Sequence, residues 1–316
     1  MLRYLAGRLL LLIPTLLGMS VLIFALVRLL PGDVVDAMFS GDVSATAAAK
    51  QAVRVSLGLT DPVPLQYVKM IGGVVTGHLG KSFTTGEPIA AVMARALPIT
   101  SELAVLAVLL ATVVGVPLGV LSAVRPNTGT DLASRVCGLM GLSVPNFWFA
   151  TLALLVSSLV FHWVPPVTWI PPSRDLAGNL SQVAIPVVAI SVYLLAVIMR
   201  MTRATMLEVL GQDYVRTARA KGASSHAVVF RHALRNSLIP VVTVIGFQVG
   251  GLMGGATVVE VIFGLPGMGY TLVQGIYARD YPVIEMSALF LAGVFVFVNL
   301  LVDLLYGVID PRIEHA

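Results

Sequence analysis

Apolar residues in this chain come in long runs rather than in alternation. Six runs stand out, at 9–30, 103–124, 136–161, 183–201, 238–262 and 284–308. Each is near the 20 apolar residues that cross a bilayer core roughly 30 Å thick, so each predicts a membrane-spanning helix. Pro145 and Pro186 fall inside the third and fourth runs. Prolines are tolerated in membrane helices when neighbouring groups satisfy the freed carbonyls. Between the runs lie one long polar segment (31–98), several short ones, and a basic segment from Asp213 to Pro240. In the long segment, Asp33 is placed to cap a helix, 45–57 favours helix, and 60–64 reads as a turn.

Composition supports a chain that lives in lipid. Hydrophobic residues make up 57% of the 316 and charged residues 11%, against about 25% charged in soluble domains. The first run is too long for a cleaved signal peptide and no small-x-small site follows it, so it reads as a retained helix. The net charge of +4 does not point to nucleic acid. Its basic residues sit beside the spans, and no basic stripe with interleaved aromatics occurs. Cys137 is the only cysteine, which excludes an internal disulfide and a Cys/His metal cluster and predicts a small buried side chain.

An even number of spans puts both ends on one side. Arg3, Arg8, Arg125 and Arg135 flank loops on that side, and Arg200, Arg203, Arg216, Arg219, Lys221, Arg231 and Arg235 crowd its largest loop. The short loops opposite hold Arg174 and Arg279. Positive residues accumulate on the cytoplasmic side, so both termini and the basic loop are expected there, with 31–98 external. The expected divisions are 1–30, an external loop 31–98, a five-helix core 99–308 containing the loop 202–237, and a tail 309–316.

The basic loop reads DYVRTARAKGASSHAVVFRHALRNSLIP. Asp213 is a good N-cap, two helical turns follow to Lys221, and Gly222 suits a left-handed stop. Ser224 or Ser225 can cap a second short helix through 226–235, with Pro240 marking entry into the fifth span. Ala218 and Ala220 keep the profile low, while Arg216, Arg219 and Lys221 supply donors to acidic or carbonyl partners. A solvated loop facing lipid headgroups would also be basic. It would not need two caps, one glycine and outward small residues.

DYVRTARAKG at 213–222 and HALRN…P at 232–240 resemble the EAA loop of ABC-importer permeases, in the form found in the dipeptide/oligopeptide/nickel permease family. The generic loop has Glu where Arg216 stands. LLPGD (29–33), LGL (57–59), QY (66–67), HLGKS (78–82), GGATVVEVIFGLPGMG (254–269), RDYPV (279–283) and DPR (310–312) extend the resemblance over nearly the whole chain. It implies an all-α integral membrane protein with six transmembrane helices and a cytoplasmic coupling helix, the type I importer permease fold. The ATPase-coupling residues would be Asp213, Tyr214, Arg216, Ala218, Arg219, Ala220, Lys221 and Gly222. Implied partners are a second homologous permease, two cytoplasmic ATPase subunits or domains carrying ATP and Mg, an external substrate-binding protein and the lipid bilayer of a bacterial-type plasma membrane. No cofactor is implied on this chain. Dipeptides, longer peptides, glutathione and nickel or other metal chelates are all substrates within the family.

Other candidates are weaker. Gly80–Lys81–Ser82 ends like a phosphate-binding loop, but Val75 stands where that motif needs glycine. Gly246, Gly250 and Gly254 recur every fourth residue in the fifth run. Such a stripe lets a helix approach closely, either within the bundle or along a path at a subunit interface. Gln248 beside it is a candidate polar group of that path. Arg28, Glu102, Glu260, Glu285 and Asp303 sit near helix ends, where interfacial pairing accounts for them. No mid-helix carboxylate marks an ion-driven transporter, which, with a channel, is the rival reading. No catalytic or metal-ligand constellation is evident among the scattered histidines.

Overall fold

A computed structural model describes residues 2–29, 32, 34–39, 46–166 and 168–309. Asp33 and the 310–312 motif lie outside them. The described residues form helices α1 (Leu2–Arg28), α2 (Val34–Met38), α3 (Ala47–Ser56), α4 (Val63–Thr76), α5 (Ile89–Val124), α6 (Gly129–Ser143), α7 (Asn146–Val160) and α8 (Leu176–Leu210). There follow α9 (Asp213–Ala220), α10 (Ser225–Ala227), a π-helical segment (Val228–Ala233), α11 (Leu234–Phe263), α12 (Met268–Ala278) and α13 (Tyr281–Ile309). Among the described residues five helices are individually long and apolar enough to span a membrane, and two bent helix pairs raise the number to seven at most.

The run 136–161 is not one helix. It belongs to α6 and α7, which bend by 103°. Val144 is extended (φ −91°, ψ 121°) and Pro145 caps α7. Steric conflict with the proline ring drives the preceding residue out of the helical region, and the missing N–H removes a rung. Pro186 and Pro240, by contrast, sit inside continuous helices. Pro240 therefore does not mark the entry of the fifth span; helix is already established before it. In the segment 31–98, α3 starts behind Thr46, whose hydroxyl accepts from Ala49 N. The helix α4 was not legible in the apolar pattern.

The chain divides into two compact units, residues 1–100 with 266–296 and residues 101–265 with 297–316. In the first, Asp280 is 1% exposed and accepts from Ser82 Oγ (2.6 Å), Thr84 Oγ1 (2.7 Å), Phe83 N and Thr84 N (both 3.1 Å). Four donors compensate the burial of one carboxylate, and Ser82 is spent on this knot rather than on a phosphate. Arg28 pairs with Glu285, stacks on Phe24 and donates to Gln66 Oε1 at 2.9 Å. These two charges thus pair with each other.

In the second unit α8 is central, with α6, α7 and α11 packed on it. Glycines set these contacts. A Cβ on Gly119 of α5 would lie 2.6 Å from Met199 O and Thr202 Cβ, and one on Gly141 of α6 would lie 3.0 Å from Ala196 Cβ. In lipid, where no hydrophobic force draws helices together, such close backbone approach is a main source of association. Asp131, fully buried, accepts from Arg203 Nε (2.7 Å) and Nη2 (3.0 Å), Ser122 Oγ (2.5 Å) and Asn127 N (2.9 Å). This bidentate pair staples the α5–α6 corner to α8. Cys137 is exposed on α6, contrary to expectation. Its helix face also exposes Leu132, Val136, Leu139 and Met140, the apolar surface a lipid-facing helix presents.

Candidate functional site

The basic loop folds as an elbow. Helix α9 ends in a Schellman motif: Ala223 N donates to Ala218 O (3.1 Å) and Gly222 N to Arg219 O (2.9 Å). Gly222 takes the left-handed conformation this motif needs (φ +84°). Ser224 then caps the next helix, accepting from Ala227 N at 3.3 Å. Asp213 is not the N-cap. Gln212 occupies that position without a side-chain bond, and Asp213 is the first helical residue. Its charge still favours the positive N-terminal end of α9. The second arm is not a separate short helix either. It runs from Ser225 through the π segment into α11 without a break.

The elbow is fixed to the second unit. Val215 and Val228 are buried. Val120, Ala123, Met206 and Ala233 form one apolar cluster that joins the ends of α5 and α8 to the π segment. Tyr214 Oη donates to His232 O (3.3 Å) and accepts from Asn236 Nδ2 (2.8 Å), so α9 is tied across to the second arm. Thr205 Oγ1 donates to Ser237 O at 3.2 Å. Thr205 and Ser237 carry no sequence signal beyond being polar, and Asn236, though it ends the HALRN motif, gave no sign of its partner. Their role depends on a fold that brings α8 against α11.

The remaining loop residues face outward. Asp213, Arg216, Arg219, Ala220, Lys221 and Gly222 are exposed and Ala218 is half-buried. Arg216 is 3.4 Å from Asp213, a surface pair of little energetic weight. Among the described residues Arg219 and Lys221 have no carboxylate partner. The result is a rigid, low, cationic ridge with its bonds turned inward.

A second feature lies within the same unit. A cavity of about 470 Å³ is lined by the α6–α7 break from Leu142 to Phe147, and by Tyr193, Gln248, Leu252 and Val258. Non-helical backbone at membrane depth is tolerated only where it is buried in protein or lines a watery cavity. Gln248 faces this cavity. The glycine stripe divides. A Cβ on Gly246 would lie 2.5 Å from Val302 of α13, Gly250 is buried, and Gly254 is exposed with nothing within 4 Å. No cluster of three or more metal-ligating side chains occurs among the described residues.

Apolar spans with an anchored polar elbow define an all-α, multi-pass membrane protein. Residues 115–315 match the family model described as binding-protein-dependent transport system inner membrane component, and residues 1–104 match that of its N-terminal region. The chain belongs to this family, the permease subunits of ABC importers, and has the type I importer permease fold. It is 42% identical to a putative peptide permease protein of Brucella ovis over 317 residues, covering 99% of each chain. It is 39% identical to a putative peptide transport system permease protein of Brucella suis, with 96% of each covered. It is also 39% identical to the dipeptide transport system permease protein of Escherichia coli K12, covering 100% of this chain and 99% of that one. The protein is thus a transport subunit and not the ATPase; hydrolysis belongs to partner subunits.

Proposed function

We propose that this chain imports short peptides, as one of two homologous permeases in a bacterial-type plasma membrane. Peptide specificity is supported by the names of relatives that match over almost the full chain. Each of two ATPase subunits, holding ATP and Mg, would take a permease elbow into a surface groove. An external binding protein would deliver the peptide to the face formed by 31–98. Both termini and the elbow would then be cytoplasmic, in keeping with the arginine distribution.

The observation that carries this reading is the elbow's construction. A segment held by a Schellman turn, a cross-arm tyrosine and an apolar anchor can transmit a push; a slack loop cannot. Closure of the ATPases would move α9, and the bonds of Tyr214 and the cluster around Met206 would pass that motion to α8 and α11. Rigid-body displacement of packed helices is a standard way to switch such a bundle. Asp213, Arg216, Arg219, Ala220, Lys221 and Gly222 form the contact surface in this proposal. Tyr214 holds the elbow's shape, and Gln248 with the cavity at the α6–α7 break lies on the path. Gly246 serves packing against α13.

Reconstitution of the whole assembly in vesicles tests the proposal. Peptide uptake should need ATP and the binding protein and ignore an imposed ion gradient. Uptake driven by a gradient without ATP refutes it. Mass spectrometry of ligand carried by the purified binding protein should find peptides; glutathione or a metal chelate there would replace the substrate while leaving the mechanism.

A further inference from the structure

A second cavity, of about 310 Å³, lies between α6 and α8. Arg135, Arg200 and Arg203 are among its lining residues, with Leu139, Leu142 and Met199 supplying apolar wall and Ser122 and Ser134 two hydroxyls. The two helices are antiparallel here: Asp131 meets Arg203, Gly138 faces Met199, and Gly141 faces Ala196. The arginine end and the apolar end are therefore consistent on both helices. From Arg135 to Leu142 the rise is about 10 Å at 1.5 Å per residue.

The charge in this cavity does not balance. Asp131 neutralises Arg203 through two hydrogen bonds. Arg135 and Arg200 have no ion pair or hydrogen bond to any side chain among the described residues. Arg135 and Arg200 are exposed; topology alone calls for basic residues near a span's end, but not for two guanidiniums without a side-chain partner lining one cavity from adjacent helices. Solvent screens exposed like charges, so an anion is not required there, but one seated between them gains attraction from both. Guanidinium groups suit a phosphate because their donors match its oxygens in pairs. A soluble anion or a partner's carboxylate would use the arginines but leave the apolar wall without purpose.

We propose that this cavity binds an anionic phospholipid. Arg135 and Arg200 hold the headgroup phosphate, and Leu139, Leu142 and Met199 line the first carbons of an acyl chain. The exposed apolar face of α6 continues the chain's route into the bilayer. Zwitterionic lipids are disfavoured because their own cation would face the arginines. The volume sits near the low end for small-molecule pockets, about 300–1,000 Å³, which fits a headgroup whose chains stay in the membrane.

The test uses the full chain, purified in detergent and stripped of lipid. Its thermal unfolding is followed during titration with phosphatidylglycerol, phosphatidylcholine or inorganic phosphate. Phosphatidylglycerol should raise Tm saturably, and the other two should not at equal concentration. Arg135→Gln with Arg200→Gln should weaken the apparent affinity about 30-fold, the factor equivalent to about 1 kcal/mol for each arginine. Removing two exposed charges elsewhere, at Arg174 and Lys81, should leave it unchanged. Equal stabilisation by phosphatidylcholine, an equal response to phosphate alone, or undiminished affinity in the double variant overturns the proposal. So does a structure of the assembly in which both arginines pair with a partner protein's carboxylates. If the double variant does not fold, the headgroup comparison on the unaltered chain decides alone.

Discussion

Replacing Gly222 costs backbone energy and no contact within this chain, and comparing asparagine with valine there separates that cost from added bulk on the proposed contact surface. A Cβ built there meets no atom within 4 Å, while φ is +84°. An L-residue in that conformation costs about 1–2 kcal/mol, and a β-branched one is a worse fit. Asparagine tolerates the left-handed region much better. If only the left-handed elbow docks, about 1–2 kcal/mol lowers the ratio of docking-competent to incompetent elbows by roughly 5–30-fold, which sets the ceiling on the loss of coupling. The assay is peptide uptake per ATP hydrolysed in vesicles holding the complete transporter. Gly222→Val should lose coupling by up to that factor, Gly222→Ala should fall between, and Gly222→Asn should stay close to the parent. Membrane insertion should be equal in all, since the position is exposed. Unchanged coupling in Gly222→Val, or equal losses in the Asn and Val variants, would refute the reasoning.

Three further outcomes follow from the packing and the topology. Gly119→Leu should lower the Tm of the purified chain by an amount equivalent to about 1–3 kcal/mol or more, since its Cβ would meet the α8 backbone. Asp131→Asn should lower the Tm of the purified chain, because it removes one partner of a bidentate pair and leaves the Arg203 guanidinium without its carboxylate. The double change Asp131→Leu with Arg203→Met should cost less than the sum of its single changes. In a Cys137→Ala background, cysteine at Ser225 should react only with reagent admitted to the cytoplasm and cysteine at Thr85 only from outside; the reverse labelling inverts the topology. Thr85 serves as reporter because Ser82 is buried against Asp280.

The spans and the elbow were legible because each rests on local chemistry. Apolar length predicts a helix in lipid, and Gly222 between two capped arms predicts a left-handed stop. Pro145, like Pro186, reads from the sequence as a proline tolerated within one span; Pro186 does lie inside a continuous helix while the chain breaks at Pro145, and which occurs depends on what fills the space beside the ring. Gly115, Gly119, Gly138 and Gly141 could not be told from other membrane-helix glycines until α8 was seen against them. The Asp131–Arg203 staple links residues 72 apart, with no periodicity to join them. Asp213 resembled a cap because its side chain suits one, but Gln212 already holds the extended backbone that position requires. The continuity of the second arm with α11 was hidden by Pro240 and by the π segment, whose register leaves no pattern in apolar spacing.

The most direct measurement is a cross-link from the elbow's exposed face. Cysteine at Ala220, in the Cys137→Ala chain co-expressed with its ATPase subunits, should form a specific cross-link to the ATPase that depends on nucleotide state. Failure to reach the ATPase in any nucleotide state, with labelling by lipid-soluble reagent instead, would contradict the account.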